Sequence, residues 1–236
     1  MGSKIYVIML SAMGMIMTST GLLFGQDPSD PLLYYGGKHA QLSVAKVTDH
    51  AFEIVLAPLS SVTAEQPEPL PGSTWNYPRQ LLYEGRTIMD PVHGRIGEYS
   101  ISILRSPLRV IFRDLDEELI QQITWPDGDE GKLEFFAETP LPGFDPKDTS
   151  SSEEPVLAIG EKDWAILFRH PLSTDNSYFY DGGKGVFIPS EDKKHSPVQL
   201  FLIFWEHREQ FFEEYRTITG RLSLPHVWSD GVAEVD

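Results

Sequence analysis

The chain has 236 residues, 41% of them hydrophobic, enough to bury a sizeable core in one large domain or two small ones. Its 19 glycines and 18 prolines are more punctuation than a helical bundle tolerates, and they suit short strands joined by turns. With 19 basic against 35 acidic residues the net charge is -16, which repels phosphate backbones and anionic lipid, argues against a nucleic-acid partner, and fits a solvated acidic surface.

In chain order, Lys4 precedes an uncharged apolar run from Ile5 to Phe24 that ends at Gly25 and Gln26. Residues 1–25 read as a signal peptide, with Gly25 as the small residue at the cut. The run is about long enough to span a bilayer, so an uncleaved membrane anchor is the rival reading. Ser11, Gly14, Thr18, Ser19, Thr20 and Gly21 interrupt it and weaken a spanning helix. The expected location is therefore the periplasm or the exterior, with no stable membrane insertion after cleavage. There is no cysteine, so no disulfide braces the exported domain and no lipidated cysteine follows the leader.

Apolar residues alternate at Ala40, Leu42 and Val44 and again at Phe52, Ile54 and Leu56, predicting two half-buried strands turned at Asp49 and His50. Ser60 to Arg79, with Pro67, Pro69, Pro71 and Pro78, predicts a long surface loop. Alternation resumes at Tyr99, Ile101 and Ile103 and at Leu108, Val110 and Phe112, two antiparallel strands separated by Ser106 and Pro107. Leu119 to Trp125 and Leu133 to Phe136 flank a turn-rich cluster, Pro126 to Gly131, and predict a hairpin. After a loop from Pro140 to Pro155 come strands at Val156 to Ile159, Trp164 to Phe168 and Val186 to Ile188. The continuous run from Val198 to Trp205 reads as a fully buried strand. Phe211, Phe212, Tyr215 and Ile218 then adopt helical spacing, one face of a helix from about Glu206 to Thr219 that Gly220 terminates.

Signals for chemistry are sparse. The seven histidines are scattered without metal-ligand spacing, and there is neither a G-x-S-x-G elbow nor a cysteine nucleophile. Asp181 to Gly185 resembles a phosphate loop only in its glycines and reads as a tight turn; Asp127 to Glu130 reads as an acidic hairpin turn rather than a calcium loop. No metal or cofactor is expected. Glycoside hydrolysis needs two carboxyl groups facing each other across the scissile bond. The neighbours Glu117 and Glu118, Glu153 and Glu154, and Glu213 and Glu214 diverge from one another and read as solvated faces. Among the aromatics, Trp75, Tyr77 and Tyr83 in or beside the long loop are the candidates for stacking on a sugar. Trp125, Trp164, Trp205 and Trp228 read as core or anchors.

The segment from Val198 to Gly231 carries a final strand, Phe211-Phe212-Glu213-Glu214-Tyr215, Thr219-Gly220-Arg221, Leu224-Pro225 and Trp228-Ser229-Asp230-Gly231. This resembles the end of the N-terminal β-sandwich of glycoside hydrolase family 31, the α-glucosidases and α-xylosidases. Earlier tags follow in the family's order: Pro142-Gly143-Phe144-Asp145, then Pro155 to Gly160, Trp164-Ala165, Phe168 and His170-Pro171. The resemblance implies an all-β fold, a large antiparallel galactose-mutarotase-like supersandwich with one C-terminal helix, over residues 26–222. Residues 223–236 would begin a linker toward a (β/α)8 barrel. The family's catalytic aspartates belong to that barrel, and the sequence stops at Asp236, so no catalytic position carries over. Phe144 and Asp145 are the candidate sugar contacts, because they occupy the family's loop segment nearest the barrel; a turn closing the sandwich is the structural alternative.

The implied partner is an α-linked glucoside or xyloside oligosaccharide, hydrolysed only with a barrel in cis or in trans. A stand-alone exported carbohydrate-binding module and an inactive vestigial fragment are the alternatives.

Overall fold

The structure, a computed structural model, describes residues 32–59, 77–128, 131–139, 156–160, 163–168, 177–188 and 195–220. Among these, two antiparallel sheets pack face to face and one helix lies on the outside. In chain order the elements are β1 (Tyr34–Tyr35), β2 (Lys38–Lys46), β3 (Ala51–Pro58), β4 (Gln80–Gly85), β5 (Val92–Ile96), β6 (Tyr99–Leu104) and β7 (Leu108–Arg113). They continue with β8 (Leu119–Trp125), β9 (Leu133–Phe136), β10 (Val156–Ile159), β11 (Trp164–Phe168), β12 (Ser177–Tyr180), β13 (Lys184–Ile188), β14 (Val198–Phe204) and α1 (Arg208–Thr219). The expected all-β sandwich with a single late helix is what the chain builds.

The first sheet runs β1-β2-β3-β14-β11-β10, and β4 shares the edge of β2 with β1. The second runs β12-β13-β9-β8-β7-β6-β5, mostly a meander of hairpins. Pairing of β14 with β3, Val198 opposite Leu56 through Ile203 opposite Ala51, brings the last strand back to one of the first. That closure lies far apart in sequence, so it is absent from any local pattern.

Alternation sets what each sheet buries. Leu42, Val44, Phe52, Ile54, Leu200, Leu202, Trp164 and Ile166 line the inner side of the first sheet. Across from them lie Ile101, Ile103, Val110, Phe112, Ile123, Leu133 and Phe135 of the second. Each such side chain, fully buried, contributes about 1.5–3 kcal/mol. Outside the first sheet, Phe211, Tyr215 and Ile218 of α1 press on Ala51, Ala165, Leu167, Phe201 and Ile203. Strand β14 is thus covered on both sides, which is why its apolar run is continuous.

The helix ends are locally specified. At the start Gln210 Oε1 accepts the Glu206 backbone N–H at 3.0 Å, which ties the residue before the N-cap His207 to the first turn. Glu209 and Arg216 sit at the ends where the helix dipole favours their charges. At the finish Gly220 takes φ 68° and its N–H bonds Arg216 O, the left-handed cap expected of it. Gly160 is needed for a different reason: a Cβ there would run into the Trp164 indole, so the glycine and tryptophan of that tag are one packing unit. The turn from Asp181 to Lys184, closed by a 2.9 Å backbone hydrogen bond, joins β12 to β13 and is the tight turn predicted.

Strands β1, β4, β5 and β12 escape the sequence reading. All four sit at sheet edges, and the second and third of them carry few core residues. The predicted loop from Ser60 to Arg79 is described only at Tyr77 to Arg79, where it leads into β4. The proposed leader, residues 1–25, and the linker, residues 223–236, lie outside the described residues.

Candidate functional site

Phe144 and Asp145, the candidate sugar contacts, lie outside the described residues, as do Trp75 and Trp228. The two buried carboxylates among the described residues each centre a polar cluster.

The first centres on Glu53. It points outward from β3, between Ala45 of β2 and Phe201 of β14, yet it is only 3% exposed. Its Oε1 accepts hydrogen bonds from Tyr77 Oη at 2.8 Å and from Gln199 Nε2. Oε2 lacks an aligned hydrogen bond, but Arg79 Nε stands 2.6 Å away and supplies the opposite charge. Arg79 Nη2 in turn donates to Ser43 Oγ at 2.6 Å, and the Tyr77 ring meets Phe201 edge-on at 5.3 Å. A buried carboxylate is tolerable only when paired and hydrogen-bonded, and this one is both. Chemically the cluster is a tie: it fastens the segment entering β4 across β2, β3 and β14.

The second cluster lies where the turn between β2 and β3 meets α1 and the start of β6. His50 Nδ1 and Tyr99 Oη are 2.8 Å apart in a hydrogen bond whose direction follows the His50 tautomer. Burial pushes the Tyr99 phenol well above its ordinary range, reinforced by Glu98, Glu206 and Glu214, so it stays protonated. Glu214, 9% exposed, has a buried Oε2 without a hydrogen-bond partner. Burial raises its carboxyl above the usual glutamate value, with Asp49 and Glu213 adding to the rise; the hydrogen bond with Thr48 and the nearby His50 oppose it. The solvated-face reading of the Glu213 and Glu214 pair is therefore corrected at Glu214. It occupies the helix stripe with Phe211, Tyr215 and Ile218 rather than the wet side.

A carboxyl raised in the folded state favours folding below the ordinary glutamate range and loses that contribution as pH climbs through its raised value. Glu214→Gln is accordingly expected to stabilise the chain at pH 7 by on the order of 1 kcal/mol, because the isosteric amide carries no charge to desolvate. At about pH 4 that gain disappears as both states of the wild-type group protonate. Urea midpoints of both proteins at the two pH values test this, and a variant less stable than wild type at neutral pH would contradict it.

Among the loop aromatics, Tyr77 is committed to Glu53 and Tyr83 Oη donates to Thr87 O at 3.1 Å. Trp125 and Trp164 are core residues, and Trp205 packs against Phe211 with ring centroids 4.8 Å apart and planes tilted by 55°. Among the described residues no group of three or more histidine, aspartate or glutamate side chains is arranged to hold a metal ion. Both buried carboxylates are closed to a substrate. Sequence reasoning missed the Glu53 cluster entirely, since its members are spread from Ser43 to Gln199.

No family model and no curated protein matches the sequence. Among solved structures the chain is similar to a GH31 dextranase from Flavobacterium johnsoniae, solved in complex with isomaltotriose and with glucose. The TM-score is 0.50 at 10% identity, over 85% of this chain and 29% of that one. A cycloalternan-forming enzyme from Listeria monocytogenes, in complex with a pentasaccharide substrate, gives a TM-score of 0.41 at 13% identity, over 75% of this chain and 19% of that one. The chain spans less than a third of the length of either enzyme, and what it shares with the dextranase is a two-sheet fold.

Proposed function

We propose that this chain is a carbohydrate-associated sandwich module of the family-31 α-glycosidase type, exported and without catalysis of its own. The observation that carries the reading is the match of 85% of the chain to 29% of a GH31 dextranase. The ordered tags from Phe144-Asp145 to Trp228 support the same family independently of that match. The ligand class is an α-linked glucoside or xyloside oligosaccharide, and hydrolysis requires a catalytic barrel in cis or in trans. Among the described residues the two buried carboxylates, Glu53 and Glu214, sit in separate clusters and are not an opposed pair. Export is supported by the apolar run from Ile5 to Phe24 and its small residue Gly25.

Calorimetric titration of the secreted chain with isomaltotriose and with a xylosyl oligosaccharide tests the reading. Saturable binding without release of free sugar is expected, and the mass of the secreted protein should correspond to a start at Gln26. Liberation of glucose or xylose by the purified chain would overturn the non-catalytic assignment. Absence of any binding would leave a vestigial fragment.

A further inference from the structure

The strands of the second sheet carry five charged residues: Arg95 on β5, Arg109 and Arg113 on β7, Glu134 on β9 and Lys184 on β13. Four cations to one carboxylate is the reverse of the whole chain, where 19 basic residues face 35 acidic ones. All five alternate with core residues and therefore lie on the outer face. Lys184 and Glu134 pair at 2.8 Å and neutralise each other, which leaves three arginines.

Register places these arginines among hydrogen-bonding side chains. Arg95, Ser100 and Arg113 are opposite one another across β5, β6 and β7. His93, Ser102, Ile111 and Gln122 form the next row, and Arg109 lies opposite Thr124 in the one beyond. Two strand spacings put Arg95 roughly 10 Å from Arg113, and four residues along β7 put Arg109 roughly 13 Å from Arg113. Arg113 Nη1 donates to the Glu117 carbonyl at 3.0 Å, which orients the guanidinium; the Glu117 carboxylate itself accepts from Ser100 Oγ at 3.3 Å and forms the acidic rim of the face. Arg109 Nε is buried with no hydrogen-bond partner, a donor in want of an acceptor.

We propose that this outer face binds a glycan bearing carboxylate groups, a uronate-containing oligosaccharide. The inference rests on the carbohydrate-associated reading above and names a ligand class for it. Guanidinium forks match planar carboxylates in bidentate geometry, and the side chains between them are tied to one another, Ser102 to His93 at 2.9 Å and Gln122 to the buried Thr124 at 3.1 Å, so the arginines carry the recognition. An acidic protein surface is the less favoured occupant. Protein interfaces are anchored by protruding aromatic or aliphatic side chains. Among the described residues the exposed large apolar side chains are Leu81, Met89 and Leu115, and of these only Leu115, in the turn after β7, borders this sheet. Nucleic acid is disfavoured by the net charge of -16.

The test is calorimetric titration of the full chain with tetragalacturonate, beside neutral maltotetraose and a hexaglutamate peptide. Saturable binding of tetragalacturonate is expected, weakened at least about tenfold in Arg109→Gln/Arg113→Gln and weakened again by raising salt from about 20 to about 200 mM. Arg208→Gln, on the helix against the other sheet, should leave it unchanged. Equal binding of hexaglutamate overturns the glycan assignment in favour of an acidic protein surface. Full affinity in the double variant, with an unaltered melting temperature, overturns the site. If neutral α-glucans bind and tetragalacturonate does not, this inference alone fails; if neither binds, the carbohydrate reading fails with it.

Discussion

Phe52→Ala should cost about 3–5 kcal/mol of folding stability, the range for removing a buried phenylalanine from a core that cannot collapse around the gap. Phe52 is fully buried at the seam between the sheets. Its ring meets Phe204 of its own sheet at 6.0 Å and, across the sandwich, Phe112 at 5.0 Å and Tyr99 edge-on at 5.5 Å. Truncation therefore removes apolar burial and several aromatic pairings together, each pair worth about 0.5–1.5 kcal/mol beyond its area. A domain of ordinary stability has about 5–15 kcal/mol in all, so the loss is a large fraction. No disulfide limits the damage, because the chain has no cysteine. Phe52→Leu, which keeps most of the volume, should cost about 1–2 kcal/mol. Met89→Ala, at a residue 83% exposed, should stay within about 0.5 kcal/mol of wild type. Urea unfolding of the three variants gives the comparison, and an alanine variant within about 1 kcal/mol of wild type would mean that Phe52 does not hold the sheets together.

How far the fold is legible in the sequence depends on where a strand lies. Strands β6 and β7 turn a core residue inward at every second position, so period-two alternation marks them, and β14 buries both faces, so it reads as an unbroken apolar run. Edge strands lack this signature. In β4 the apolar residues are adjacent and half-exposed, and β5 places exposed His93, Gly94 and Arg95 between two partly buried residues. Their backbones satisfy a neighbouring strand, and that requirement leaves little trace in side-chain type. The pairing of β3 with β14 is invisible locally for the same reason: nothing near Glu53 announces Gln199.

Polar positions follow a different logic. Glu214 was within reach of the sequence, since it falls three residues after Phe211 and directly before Tyr215, on the very stripe that packs. Treating it as half of an acidic neighbour pair hid that spacing. Glu53 is less legible. It occupies an outward position of a strand, where an acid is ordinary, and its burial is imposed by Tyr77 and Arg79 from beyond the long loop. The sugar-contact candidates came from family resemblance rather than from periodicity, and they sit in a segment the sequence itself marks only as turn-rich.

The Glu53 cluster supplies the second large expected effect. Arg79→Met keeps the side-chain stem and removes the cation, so a carboxylate whose side chain is 4% exposed loses the guanidinium paired with it. Stripping one partner from a fully buried pair costs about 3–5 kcal/mol; because Arg79 is itself 43% exposed and solvent already screens it, about 2 kcal/mol is expected here. The informative experiment is the double variant. Glu53→Gln in the Arg79→Met background presents a neutral amide that still accepts from Tyr77 Oη and carries no charge to compensate, so about half or more of the lost stability should return. Glu53→Gln alone, with Arg79 intact, should be mildly destabilising, because the guanidinium then faces an amide. Additive penalties in the double variant would mean that Glu53 and Arg79 do not act as a pair. Recovery would establish that the loop entering β4 is held to the sheet by charge pairing in a desolvated setting, rather than by the Tyr77 and Phe201 ring contact alone.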